Sequence, residues 1–470
     1  MRALHWFRSD LRLADNTALA ASAACASEIG FLFVLDEALL ASSRVGRRRV
    51  RFVHGCLAKL GSELARRGHR LVVRHGNPSV EVPRAAHECR AELVSWNRDT
   101  SPYALRRDAA VRVALERKGV RVLAAKDRVV FESSEIRTGA GGPFRVFTPF
   151  RNAWLARLAE SPPAEAGPLR LPAPLTALKE AALPALPALR AGDAAAELPT
   201  PGEAAARRRL AAFTGGPIGA YAKARDLPAL DGTSRLSHHL RFGTISPRAC
   251  VSAAREAAAS EPRLRPGASK WLDELVWREF YAAILEEHPR VLRQSFRPEF
   301  EHVRWNDDAD AYTRWCEGRT GYPIVDAGMR QLAETGWMHN RARMITASFL
   351  VKDLLLDWRL GERWFLDQLV DADPASNNGG WQWSASTGTD AQPYFRIFSP
   401  VAQGERFDPN GAYVRRFVPE LRDVPDRFVH QPWRTPLLCP EYPAPVVDHA
   451  ERRRIAIVRF EEARRAAALA

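Results

Sequence analysis

The feature that most constrains this chain is a change of hydrophobic period along its length. Apolar runs at Ala3–Phe7, Ile29–Leu35, Leu71–Val73, Glu92–Trp96 and Val120–Ala124 alternate with helical patterns near Ala18–Ala26, Arg47–Arg67, Ser79–Arg90 and Pro102–Lys118. Gly68 and Gly119 stand where two of those helices should stop. Strands alternating with helices predict a doubly wound, five-stranded parallel sheet, because the intervening helix lets successive strands run the same way. After Pro201 the strand signals end and long amphipathic helices take over, among them Lys270–Glu287, Pro323–Thr335, Met338–Asp357 and Glu362–Val370. The chain thus reads as an α/β domain over residues 1–132, a linker over 133–200 and an all-helical domain over 201–470. From Ser161 the linker is rich in Pro and Ala and reads as a long connection with, at most, short helical turns.

A chain of 470 residues is long enough for two to four domains with sizeable cores. No run of 18 or more uncharged apolar residues occurs, so no membrane helix is expected. Charges at Arg8, Asp10, Arg12 and Asp15 interrupt the first apolar stretch, so no signal peptide is expected either. Lys and Arg number 69 against 55 Asp and Glu, a net charge of +14. That excess fits a nucleic-acid partner or, equally, a solvated basic surface. The cysteines Cys25, Cys56, Cys89, Cys250, Cys316 and Cys439 are scattered without a CxxC pair. Neither a zinc site nor a disulfide framework is indicated, and a reducing cytoplasm is the default compartment.

Several constellations invite chemistry. The first strand runs into Arg8-Ser9-Asp10-Leu11-Arg12 rather than GxGxxG, so a dinucleotide site of the usual kind is not indicated. Arg8, Asp10, Asn97 and Asp99 fall at the carboxyl ends of strands, where open sheets bind ligands; they also suit helix-capping turns. Nine of the thirteen tryptophans lie between Trp271 and Trp383, as core or as a stacking surface. In SKWLDELVWREFY, Ser269 has the chemistry of an N-cap, and Glu274, Trp277, Arg278 and Tyr281 share one helix face. That face is either a Glu274–Arg278 surface pair beside buried aromatics or a base-stacking wall with a polar handle. Asn340 and Met344 lie one turn apart, flanked by Arg341 and Arg343. Asn can read an amide-like base edge, Met adapts to an apolar contact and Arg suits phosphate; a solvated face is the other explanation. Thr233, Ser234 and Ser237 precede an apolar helix, either to cap it or to cradle phosphate. Asp371 to Trp383 reads as a loop. Its Asp371, Asp373 and Asn377 match three calcium-loop positions, but Ser376 and Gln382 break the pattern, so no metal site is indicated. GxSxG, HExxH and Walker A motifs are absent, which leaves hydrolase and ATPase readings without support.

Taken together, HWFRSDLRLADN, TSRLSHHLRFGTISPR, WLDELVWREFY, TGYPIVDAGMRQL, TGWMHNRARMITASFLVKDLL and DADPASNNGGWQWSASTGTDAQPYFRIFSP resemble the photolyase/cryptochrome family, most closely its class I cyclobutane pyrimidine dimer members. The resemblance covers nearly the whole chain outside the linker. It implies FAD in the helical domain, held by Tyr221, Thr233, Ser234, Arg235, Leu236, Ser237, Trp271, Glu274, Arg343, Asp371, Asp373 and Asn377, with Asn377 facing flavin N5. Glu274, Trp277, Asn340, Met344 and Trp383 match the family's dimer pocket. Arg225, Arg278, Asn340, Arg341, Arg396 and Gln403 match groups near the DNA strand. Trp381, Trp358 and Trp305 match the chain of tryptophans that photoreduces FAD. The reaction implied is light-driven electron transfer from FADH⁻ that splits a dimer flipped out of DNA. The (6-4) branch typically carries His where Asn340 stands, which favours the cyclobutane lesion. A cryptochrome-like receptor without repair is the rival reading, and no long tail follows the helical domain to favour it. A second, antenna chromophore is implied. Folate-binding members carry Glu at the position of Ala104, so a deazaflavin type or FMN is favoured over methenyltetrahydrofolate. The protein is expected to be a monomer acting on UV-damaged DNA, cytoplasmic and nucleoid-associated.

Overall fold

Strand β1 (Arg2–Phe7) is buried along nearly its whole length, which is how a central strand of a parallel sheet must be clothed. Around it lie β2 (Glu28–Asp36), β3 (Leu71–Gly76), β4 (Leu93–Asn97) and β5 (Arg121–Ala125), all parallel, in the order β3-β2-β1-β4-β5. The helices Thr17–Cys25, Arg47–Arg66, Pro78–Glu88 and Pro102–Glu116 occupy the segments between them. Gly68 and Gly119 take the left-handed backbone, with φ of 77° and 73°, and end two of the helices where the sequence places their stops. Leu4, Trp6, Val94 and Trp96 of the sheet pack with Val82, Ala85 and Val111 of the helices in one core. The computed structural model describes residues 1–164, 167–179, 181–185, 197–389 and 396–469.

The linker is more structured than its composition suggests. Residues 147–160 form a helix, and Ala173–Pro174 form a sixth strand, β6, beside Glu28–Ile29 of β2. The sheet therefore has six strands rather than five. A two-residue strand containing proline leaves no alternating pattern to read. Parts of the linker, at 165–166, 180 and 186–196, lie outside the described residues.

Contacts group the chain into two compact units. The first gathers Met1–Arg190, Pro199–Ala222 and Ser234–Glu287; the second is chiefly Lys223–Thr233 and His288–Ala470. This grouping does not follow the sequence boundaries at 132 and 200, because helices after residue 234 are tied to the segments that follow β1 and β5. Leu11 N–H donates to Phe242 O at 3.0 Å. The buried Arg248 guanidinium reaches Asp15 and Asp127, at 3.1 and 2.6 Å.

In the second unit, Ala309–Glu317, Pro323–Thr335, Asn340–Ser348, Trp358–Gln368, Pro374–Ala385 and His449–Leu469 are helical. Trp315, Met329, Leu350, Trp358, Phe365 and Trp381 lie in its core. Three expectations are corrected. The helix read as Met338–Asp357 starts at Asn340, capped by His339, and gives way to a π-helical stretch, Phe349–Asp353. The following helix begins at Trp358, capped by Asp357, not at Glu362. The segment read as a loop, Asp371–Trp383, becomes helical from Pro374, with Asp373 accepting from Ala375 and Ser376 N–H at 3.0 and 3.1 Å. Tertiary packing of Trp381 and Gln382 there overrides the poor helix propensity of Asn377-Asn378-Gly379-Gly380.

Candidate cofactor and substrate residues

In the first unit, the helix carrying Glu274 and Trp277 runs from Arg265 to Glu287. Ser269 is inside it rather than its N-cap, because the chain already turns helical after the short Pro262–Leu264 turn. Glu274 lies 3.6 Å from the Lys270 ammonium one turn back. Arg278 donates to Arg128 O at 2.8 Å. Trp277 is stacked flat on Phe147, with centroids 3.6 Å apart and planes 7° from parallel. Trp271 is buried and meets Phe213 at 5.1 Å, and Phe213 in turn meets Tyr221 at 5.6 Å. The next motif enters the short helix Ser237–Phe242. Its N-cap is Leu236, with no side-chain cap hydrogen bond, so ordinary capping does not account for the hydroxyls. Arg235 is exposed at φ 47°, a left-handed conformation that turns the backbone sharply before the helix, and Ser234 O accepts from Arg209 at 2.9 Å.

Glu279 is a residue the sequence reading passed over. It sits on the buried side of the same helix and is 3% exposed. Val130 and Phe131 N–H donate to it, and so does Trp154 Nε1 at 2.7 Å. Burial pushes its carboxyl above the ordinary range, against the pull of those donors. It pins the Glu274–Trp277 helix to its surroundings in the first unit. A lone acid among Leu275, Val276 and Phe280 was the available signal. Phe147 had none, lying 130 residues from the ring it supports.

The strand-end residues Arg8, Asp10, Asn97 and Asp99 do converge, around a narrow cleft that also includes Asp127 and Arg128. Much of their chemistry is spent on one another. Asn97 donates to Asp10 and Asn16 at 2.6 and 2.7 Å and accepts from Ala18 N–H at 2.9 Å, the capping alternative. Arg8 pairs with Asp108. Burial opposes ionisation of Asp99, yet Arg128 and Arg241 hold it well below the ordinary carboxylate range.

In the second unit, Asn340 is exposed at the start of its helix, and its amide nitrogen lies 3.7 Å from the Met344 sulfur. Arg341 donates to Asp226 at 2.7 Å and lies over the Phe407 ring at 4.1 Å; Arg225 is 3.8 Å from the same carboxylate. Asp226, Phe407 and the Arg225–Arg341 convergence were not foreseen, since nothing local in the sequence joins them. Gln403 is half-buried on the Pro400–Phe407 helix, and Arg396 is exposed ahead of it. Trp383 is half-buried, 6.5 Å from Phe398. Residues 390–395 of that motif lie outside the described residues.

Arg343 donates to Asp371 Oδ2 at 2.8 Å, while the buried Asp371 Oδ1 has no hydrogen-bond partner among the described residues. Asp373 caps the Pro374–Ala385 helix. Asn377 donates from Nδ2 to Glu362 O at 3.1 Å. A carbonyl can only accept, so the amide is oriented with Oδ1 left to receive a donor. Thr233 is half-buried in this unit. Trp381 and Trp358 are buried and Trp305 is partly buried, all against one core. Gly361 makes room for Trp381: a Cβ there would lie 2.0 Å from the indole ring. Trp315, absent from the expected set, is fully buried 6.0 Å from Trp381. Among the described residues no His, Cys, Asp and Glu cluster could hold a metal ion, and no helix is long and apolar enough to cross a membrane.

Residues 3–169 match the family model described as DNA photolyase, and residues 271–462 that of the FAD binding domain of DNA photolyase. The deoxyribodipyrimidine photo-lyase of Halobacterium salinarum is 44% identical, covering 98% of this chain and 99% of its own length. The crystal structure of a class III photolyase from Agrobacterium tumefaciens is similar with a TM-score of 0.89 at 37% identity, covering 99% of this chain and 98% of that one. An archaeal photolyase from Sulfolobus tokodaii, crystallised with two FAD molecules, gives 0.82 at 32% identity, covering 98% of this chain and 100% of that one.

Proposed function

The chain belongs to the DNA photolyase family, and from that premise we propose a deoxyribodipyrimidine photo-lyase, a carbon–carbon lyase that splits cyclobutane pyrimidine dimers in DNA. Fully reduced FAD, when bound, supplies the electron that light drives onto the dimer.

The residues take the following roles. Ser234, Arg235, Leu236 and Ser237, with Thr233, offer hydroxyls and N–H groups to the phosphates. Tyr221, Trp271, Arg343, Asp371 and Asp373 frame the rest of the cofactor, and Asp371 Oδ1 takes one of its donors. Enzymes that act on a base within a duplex extrude it first, photolyases among them, and a damaged pair costs less to unstack. Trp277, held flat by Phe147, and Trp383 give the extruded dimer aromatic walls. Glu274 hydrogen-bonds the dimer as negative charge develops on it, and Asn340 and Met344 contact its base edges and apolar surface. Arg225, Arg278, Arg341, Arg396 and Gln403 receive the DNA strand. Trp381, Trp358 and Trp305 carry electrons inward to keep the cofactor reduced. The observation that carries this reading is Asn377: its amide is locked by Glu362 O, so Oδ1 accepts from an N–H, and flavin N5 carries one only when protonated.

A second chromophore, of deazaflavin type or FMN rather than methenyltetrahydrofolate, belongs to the same reading, with Ala104 buried where a folate-binding Glu would stand. So do a monomeric state and a cytoplasmic, nucleoid-associated location. The test is binding of a fluorescent oligonucleotide that carries one dimer. The reduced protein should hold it in the dark in preference to undamaged DNA and release it under blue light. Equal affinity for both DNAs, or no release in light, would overturn the reading.

A further inference from the structure

The helix Phe147–Glu160 lies in the segment that reads as linker, yet it packs along the helix that carries Glu274 and Trp277. Its side chains recur at helical spacing toward that neighbour. Phe147 stacks on Trp277, Phe150 meets Phe280 at 5.3 Å, Arg151 pairs with Asp273, and Trp154 donates to Glu279 at 2.7 Å. The first of these contacts differs from the rest. Val146, the N-cap, makes no side-chain cap hydrogen bond, so no polar cap orders the first turn. Packing does so instead: Phe147 is 7% exposed, and its ring lies parallel to the indole with 3.6 Å between centroids. Phe280 meets Trp277 edge-on at 5.7 Å, and the Tyr281 ring is tilted 35° from it at 5.4 Å. Trp277 is nevertheless only half-buried, so part of the indole stays open. A ring braced in this way cannot turn about its side-chain bonds without breaking the Phe147 stack.

We propose that Phe147 is a positioning residue for lesion capture, fixing Trp277 in its receiving orientation before DNA arrives and thereby setting the preference for damaged over undamaged DNA. The proposal rests on Trp277 being a wall of the dimer pocket. The dimer meets the part of the indole that Phe147 leaves open. A side chain ordered in advance spares the complex the entropy of ordering it on binding. Undamaged DNA sends no base to that wall and is held by its phosphates, so the stack acts on the preference and not on affinity for DNA in general.

The experiment is a double-mutant cycle in the FAD-loaded protein, read in the dark by fluorescence anisotropy of a labelled oligonucleotide with and without one thymine cyclobutane dimer. Phe147→Leu should lower the ratio of damaged to undamaged affinity roughly three- to tenfold, the worth of one aromatic pair. Phe147→Tyr, which keeps a flat ring, should restore most of it. Phe150→Leu loosens the same helix against Phe280 without touching the stack, and should leave the ratio within about twofold of wild type. In a Trp277→Leu background, Phe147→Leu should change the ratio by less than about twofold, because the two rings act as one. Equal losses in Phe147→Leu and Phe150→Leu, or additive losses in the double variant, would overturn the proposal, since Phe147 would then act through the fold at large. An unchanged ratio in Trp277→Leu would overturn the dimer-wall assignment and this proposal with it. A ratio that depends on Trp277 but ignores Phe147 would overturn this proposal only.

Discussion

Glu274 is the residue on which repair chemistry and cofactor retention separate. Lys270 lies 3.6 Å away one turn back, a partly exposed contact that contributes little to folding. Glu274→Ala is expected to lower repair per absorbed photon about fivefold, the worth of one hydrogen bond of about 1 kcal/mol. FAD content, read from the absorbance ratio of the purified protein, should change much less. Loss of flavin in step with loss of repair would make Glu274 structural. The sequence displayed Glu274 and Trp277 on one face, because helical spacing is enough to place them. It could not display Phe147 beneath Trp277 or Asp226 beside Arg341, since both contacts join distant segments. Nor did it reveal which end of the Asn377 amide is committed, a matter settled by the Glu362 carbonyl fifteen positions away.

At the scale of elements, two anchors decide how rigidly the first unit holds its functional helix. Glu279→Ala leaves two backbone N–H groups and the Trp154 indole without their acceptor, at a cost of about 3 kcal/mol or more. Glu279→Gln keeps one acceptor oxygen and should lose less. Urea midpoints in that order would support the anchor, and an alanine variant as stable as wild type would refute it. The second anchor is the pair His238 and His239, buried behind Phe52. Burial holds their imidazoles at about 3 and about 2, with Arg209 and Arg235 adding to the depression at His238 and His238 itself at His239. Both are neutral in the fold, and both take up a proton on unfolding below about pH 6.5. In that range the unfolded chain binds more protons, so stability rises with pH and is lost as pH falls, by about 1.4 kcal/mol per pH unit for each group. Asp353, lifted to about 6 by burial, acts the opposite way, losing stability as pH rises from its ordinary 3.8 toward 6. Glu279, Glu286, Asp326 and Asp408, also raised by burial, act as Asp353 does, so the histidines are read as a difference between variants. Between pH 6 and 4 wild type should lose more stability, or gain less, than His238→Asn/His239→Asn, and parallel urea-midpoint profiles would exclude the histidines as a source of pH dependence. Strands and the first four helices were legible because β-period and helix-period patterns differ sharply and glycines mark their ends. Strand β6, the Phe147–Glu160 helix and the helix from Pro374 were not, being short, alanine-biased or poor in helix formers. Of the last, only the Asp373-Pro374 start carried the usual signal.

For the whole molecule, the excess of 69 basic over 55 acidic residues becomes a statement about DNA. If about four phosphates are engaged, log Kd should rise with log salt at a slope of about 3 to 4, depending on whether the site behaves as single- or double-stranded. Titration of a dimer-bearing oligonucleotide at several salt concentrations measures it, and a slope near zero would exclude phosphate contacts as the source of affinity. Net charge alone could not have separated this outcome from a merely soluble basic surface. The ordered motifs did so, and the family match over both halves of the chain agrees with them. The partition into compact units was less legible, since it depends on Glu279, Arg248 and Phe242 bonding to segments more than a hundred residues earlier.

The most direct test of the central claim uses pre-reduced protein and two oligonucleotides, one with a single thymine cyclobutane dimer and one with a single (6-4) photoproduct. Intact thymines are counted after blue or near-ultraviolet light and after the same time in the dark. Recovery of the cyclobutane substrate in light alone, with the (6-4) substrate unchanged, is the expected result. No recovery of the cyclobutane dimer by protein with bound, reduced FAD would contradict it.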